Sequence, residues 1–219
     1  MRALFDAELA ELGTRLTEMA QHVERAISDA SEALITSDVA KAQEVIASDR
    51  ALDEMESDVD EQCVQLIAQQ QPVGLDLRTI VVALRISAGL ERMGDLAQHI
   101  AEAARRSYPG SAVPESHTDT FTAMAEAAKH ASSQVVELLK TRDLNVAGQI
   151  ASDDDHLDEL HATAYTTLLG DTYKGSTQET LDIALLARYF ERFGDHAVGV
   201  SRRIVYLVTG DFSSDEAKI

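Results

Sequence analysis

The chain has 219 residues, 45 % of them hydrophobic, which is enough for a packed core and too much for wholesale disorder. Three prolines, eleven glycines and no tryptophan suit helices better than strands and tight turns. Lys and Arg number 19 against 38 Asp and Glu, and the net charge of −19 speaks against nucleic acid or anionic lipid as direct ligands.

The same charge serves a well-solvated surface and makes bound cations attractive. No long uncharged apolar run occurs, and acids come early in MRALFDAELAEL, so neither a membrane span nor a signal peptide is predicted. The chain reads as cytoplasmic. Its single cysteine, Cys63, excludes an intramolecular disulfide and any CxxC metal site.

Leu9, Leu12, Leu16, Met19, Val23, Ile27, Ala30 and Leu34 recur in steps of three and four, the mark of an amphipathic first helix. Thr36-Ser37-Asp38 offers capping chemistry for a second. The stripe of that second helix runs Ala42, Val45, Asp49, Leu52, Glu56, Val59, Cys63 and Leu66, which makes Cys63 a buried small hydrophobe. Gln71-Pro72-Val73-Gly74 breaks the pattern, and Asp76 is expected to cap a third helix reaching Tyr108. Ser107 to Pro114 holds two of the three prolines and reads as the linker. Beyond it, helices are predicted near His117–Lys140, Asp143–Leu169 and Gln178–Val208, with a frayed tail over 211–219.

The two halves repeat. Glu91-Arg92-Met93-Gly94-Asp95 returns as Glu191-Arg192-Phe193-Gly194-Asp195, an offset of 100, and Asp49…Asp53 returns as Asp154…Asp158, an offset of 105. The larger shift is fifteen heptads, so helical faces are preserved: Val45, Leu52 and Val59 map to Ile150, Leu157 and Ala164. The fold class is therefore all-α, two tandem homologous three-helix bundles, with repeats over 1–110 and 115–210.

Each half carries two acid-x-x-x-acid pairs on neighbouring helices: Asp49/Asp53 and Glu91/Asp95, then Asp154/Asp158 and Glu191/Asp195. Residues four apart share a helix face, where like charges cost a few tenths of a kcal/mol. Asp49 and Asp154 also occupy stripe positions where Leu or Val would point to the core, and partial burial of a carboxylate is costly unless something neutralises it. Arg92 and Arg192 stand about 100° away around their helix and are expected not to do so. A cation would: two carboxylates from each of two packed helices present an all-oxygen site, suited to magnesium, calcium, manganese or iron rather than structural zinc. Gly94 and Gly194, costly in mid-helix, suggest that bulk is excluded beside the acids. A single such pair, like Glu54/Asp58, reads as a solvated face; four at duplicated positions favour a metal site. His99 and His161 extend the acidic faces as accessory ligands or as ordinary surface or core histidines. No Glu-x-x-His, P-loop, nucleophile elbow or dinucleotide turn occurs.

With its two repeats, Gln71-Pro72…Asp76-Leu77-Arg78, and the doubled Glu-Arg-x-Gly-Asp, the chain resembles the PhoU family of phosphate-signalling proteins. The resemblance implies two three-helix bundles, often dimeric, with divalent or trivalent metal held by the acid-x-x-x-Asp motifs. It implies a non-catalytic negative regulator of the phosphate-starvation response, acting between the phosphate ABC transporter, with its ATPase subunit, and a membrane sensor histidine kinase. Two other readings stay open from the residues alone: a metal-dependent hydrolase or oxidase using the carboxylate-bound ion as Lewis acid, and a metal-free helical scaffold.

Overall fold

The computed structural model describes residues 2–171 and 173–211, so the expected frayed tail lies outside the described residues apart from Asp211. Among the described residues six α-helices follow in chain order: α1 (Arg2–Thr36), α2 (Val39–Gln70), α3 (Leu75–Ser107), α4 (Thr118–Thr141), α5 (Leu144–Leu168) and α6 (Thr177–Thr209). A short 3-10 turn, Glu115–His117, leads into α4, and no strand occurs among the described residues.

The helix ends are set by local chemistry. The Asp38 carboxylate accepts from the Ala40 and Lys41 amides at 3.0 and 3.1 Å, satisfying donors that α2 cannot. Asp143 does the same for α5 through Asn145 at 2.9 Å. A reciprocal Ser176–Glu179 capping box starts α6, and Gly210 in the left-handed region (φ 78°) ends it. Asp76 does not cap α3 as expected. The cap is Gly74 at φ 58° and ψ −124°, a conformation few residues other than glycine adopt, and Asp76 lies in the first helical turn.

The apolar stripes fold as their spacing requires. Leu12, Leu16, Met19, Val23, Ile27, Ala30 and Leu34 of α1 are buried, as are Ala42, Val45, Leu52, Val59, Cys63 and Leu66 of α2. Burial pushes the Cys63 thiol up to about 12, so it is a core group and not a nucleophile. In each half three consecutive helices pack together; α1 against α4 and α3 against α6 then join the halves into one continuous core.

The α3/α6 crossing carries the symmetry. Bare Gly89 lies where a Cβ would stand 3.3 Å from Val200, the His99 and Tyr189 rings stand 5.2 Å apart, and Arg106 Nη2 lies 2.5 Å from Asp182 Oδ1. Each step forward along α3 is thus matched by a step back along α6. Combined with the offset of 100 between the two Glu-Arg-x-Gly-Asp segments, this register puts Gly94 and Gly194 at the centre of an approximate two-fold relating the halves.

Asp182 is buried, held by Arg106 and by Gln178 Nε2 at 3.0 Å. Arg106→Ala leaves that carboxylate with one neutral donor, which costs about 1–3 kcal/mol. The urea midpoint should fall accordingly, and adding Asp182→Leu should recover most of the loss; an unchanged midpoint in Arg106→Ala would show that the pair does not tie α3 to α6.

Candidate metal centre

The acid pairs meet because α2 approaches α3, and α5 approaches α6, at a bare glycine. A Cβ on Gly94 would collide with Leu52 Cδ2. One on Gly194 would collide with Asp154 Oδ1 and stand 2.8 Å from Leu157 Cδ2. The missing methyl group therefore makes room for a leucine in the first half and for a carboxylate in the second.

In the first half Asp49, Glu91 and Asp95 are half-buried and Asp53 is exposed. Burial raises the Asp49 carboxyl above its ordinary value, and the charges of Asp53 and Asp95 raise it further while His99 opposes them. Glu91 is pushed up to about 7, first by burial, then by Asp95, with Arg92 pulling it back. In the second half Asp154 is pushed up to about 7 by burial, then by Asp158, Asp195 and Glu191. Burial and Asp195 also raise Asp158 and Glu191, with Arg188 opposing both. All eight predicted acids thus fall into two groups of four, each group sharing one negative field.

The arginines behave differently from expectation. Arg92 Nη1 lies 2.8 Å from Asp95 Oδ2, and its Nε 3.4 Å from Glu91 Oε2. Asp95 is three residues further on, a neighbouring position on the helix surface, and the long guanidinium stem covers the remaining angle. The second half uses another arginine: Arg188 pairs with Glu191, again three residues on.

Two groups enter that the acid pattern did not select. Glu56 of α2 is half-buried and raised, by burial, Asp60 and Asp53, with Arg92 opposing. Its place on the apolar stripe was the available signal. The equivalent position in the second half is His161, whose ring meets Tyr165 edge-on at 4.6 Å. Burial and Arg188 lower its pKa while Asp158 and Asp195 raise it, which sets it beside the second cluster. His99 is exposed, donates to the Asp95 carbonyl at 2.6 Å and rests against Tyr189.

Asp154 Oδ1, Glu191 Oε2 and His161 Nε2 are buried with no hydrogen-bond partner. Unpartnered carboxylate oxygens suit a hard cation, and of these Asp154 borders a hollow beside Gly194. Among the described residues, however, no three His, Cys, Asp or Glu side chains stand close enough as disposed to ligate one ion.

A duplicated six-helix protein with paired acids at its repeat centre, and without nucleophile or nucleotide-binding motifs, belongs to a narrow class. A profile of the PhoU domain matches residues 16–104 and 121–204, one match per half, and the chain belongs to the PhoU family. It is 36 % identical over 212 residues (97 % of this chain, 100 % of the relative) to the phosphate-specific transport system accessory protein PhoU homolog 2 of Mycobacterium tuberculosis. Homolog 1 of Mycobacterium leprae is 36 % identical over 216 residues, covering 99 % of this chain and 97 % of the relative. Among solved structures, PhoU from Pseudomonas aeruginosa superposes with a TM-score of 0.83 at 28 % identity, covering 94 % of this chain and all of that one. The phosphate transport system regulatory protein PhoU from Streptococcus pneumoniae gives 0.85 at 25 %, covering 94 % and 98 %. The family is one of regulatory accessory proteins, not of enzymes.

Glu91 and Asp154 titrate near 7 in the folded chain against ordinary values of 4.5 and 3.8. A raised folded value means that the native state holds the proton more tightly. The stabilisation is complete below the ordinary values and is lost as pH rises through about 7. In chelating buffer the melting temperature should therefore fall between about pH 5 and pH 8, and Glu91→Gln/Asp154→Asn should flatten that slope. A slope identical in the variant would show that these two groups do not carry it.

Proposed function

We propose that this chain is a non-catalytic, cytoplasmic regulator of phosphate homeostasis: a negative regulator of the phosphate-starvation response acting between the phosphate ABC transporter and a sensor histidine kinase. The observation that carries this is a match to PhoU relatives over nearly the whole chain, with those relatives named as accessory proteins of phosphate-specific transport. The PhoU domain matches once in each half, and the similarity to homolog 2 spans the whole of that relative.

In this reading Asp49, Asp53, Glu91 and Asp95 hold one metal centre, and Asp154, Asp158, Glu191 and Asp195 another, with iron, manganese, magnesium or calcium as the ion. Loading displaces protons from Glu91 and Asp154 and draws Arg92 and Arg188 off their carboxylates. The active form is a homodimer. Contact with the membrane runs through the transporter ATPase subunit and the kinase. No helix among the described residues is long and apolar enough to cross a membrane. Helix α2 carries eight acids against two bases and α5 five against none, a surface suited to basic patches on a protein partner.

Two experiments test this. Divalent metal should raise the melting temperature of wild type and raise it less in Glu91→Gln/Glu191→Gln, because binding to the native state alone adds stability. An equal rise in both would remove the assigned ligands. In flotation, the chain should stay in solution with bare anionic liposomes in chelator and move with membranes only when the transporter or kinase is present. Recovery on bare liposomes in chelator, or failure to float with either partner, would overturn the adaptor reading.

A further inference from the structure

The repeat has an empty place in its second half. In the first half, Ala26, Val45, Asp49, Leu52 and Gly94 surround a small recess that also receives His22, whose ring reaches the backbone at Ser48. That recess has no room left for a water molecule. In the second half the equivalent residues, Ala131, Ile150, Asp154, Leu157 and Gly194, surround a cavity of about 250 Å³. The offset of 105 puts Ala127 where the first half has His22, and loss of the imidazole helps to open the space.

The walls are mainly methyl and methylene groups of three helices, with His130, His156, Asp153 and Asp154 as the polar members, so the cavity favours a mostly apolar body. Its polar groups are unequal. Asp153 at the rim is already engaged: Gln134 Nε2 donates to its Oδ2 at 2.8 Å, and His130 Nε2 lies 3.3 Å from the same oxygen. Asp154 Oδ1, on the Gly194 side, is buried and has no partner. An acceptor left in that state costs free energy until a donor reaches it. The volume exceeds that of one aliphatic side chain and matches a molecule of about ten non-hydrogen atoms, near the lower limit for ligand pockets.

We propose that this cavity binds a small organic ammonium compound, with its apolar body against Ala127, Ala131 and Ile150 and its N–H groups donating to Asp154 Oδ1. The site belongs to the second repeat alone, because His22 closes the first. It does not rest on the proposed function, but it shares Asp154 with the second metal group proposed there, so amine and metal compete for that carboxylate.

The test titrates 2-phenylethylammonium and hexylammonium into the full chain in chelator, with 2-phenylethanol as the neutral counterpart. Binding is read by calorimetry and by amide shifts at Ala131, Leu157 and Gly194. Saturable one-to-one binding is expected, with the alcohol at least about tenfold weaker. Ala127→His, which installs the residue that the first repeat accommodates, should reduce affinity by about tenfold or more, and Ala131→Leu should do so from the opposite wall. If Ala127→His does not fold, Ala131→Leu decides. The proposal is overturned by an absence of shifts at these amides up to about 10 mM amine, by alcohol binding as tight as amine, or by undiminished affinity in the folded variants.

Discussion

A methyl group at position 194 would collide with a carboxylate oxygen of Asp154, and one at position 94 with the end of Leu52. Those two absent methyls govern how closely α5 lies on α6 and α2 on α3. The helix spacing in turn brings acids from separate helices into one field. Gly94 and Gly194 also share a register level at the approximate two-fold between α3 and α6, with their bare faces turned to α2 and α5 respectively. Helix propensity argues against glycine at such positions by up to about 1 kcal/mol. Tertiary packing reverses that preference, because any side chain there would separate the helices or expel the carboxylate.

The duplication is not a copy in chemical terms. Arg92 restrains Glu91 and Asp95 in the first half; Arg188, with Ala88 as its counterpart, restrains Glu191 in the second. Glu56 is replaced by His161 at the equivalent position of the repeat, so the first cluster has one carboxylate more and the second an imidazole whose Nε2 is unpartnered. At the α3/α6 crossing the His99–Tyr189 contact maps onto Gly199 and Gly89, a ring pair at one end and two bare backbones at the other. The two centres are therefore inequivalent. The second has the unsatisfied carboxylate oxygens and a cavity bordered by Asp154; the first has the closed recess.

Sequence patterning was sufficient for the helices and the duplication, and so for which acids occupy matching places in the two halves, because three- and four-residue periodicity and a fixed offset are properties of the chain itself. Helix starts were less legible. Gly74 caps α3 through backbone geometry alone, whereas Asp76, the better capping residue by type, falls two places too late. The reach of Arg92 was hidden because angular position on a helix ignores the length of the side chain. Glu56 stood on the apolar stripe, yet it had no acid four residues away at a duplicated position. The cavity by Ala127 requires knowing which neighbours fail to fill the space left by a smaller residue, and that depends on three helices at once.

The charge is distributed along the same lines as the packing. Helices α3 and α6 carry nine arginines and eight acids, a net +1, so the whole negative excess lies on the other helices and the loops. The central pair uses arginine throughout and no lysine. A guanidinium stays charged at every physiological pH and offers several donors, so the restraint on Glu91, Asp95 and Glu191 does not relax with pH as a lysine or histidine partner's could. Protons on Glu91 and Asp154 supply the rest of the compensation, and they do respond to pH. A cation entering either group competes with a permanent charge and a titratable one together. The acids that α2 and α5 bring to each group, Asp49 with Asp53 and Asp154 with Asp158, add to the negative field that opposes the fixed arginines.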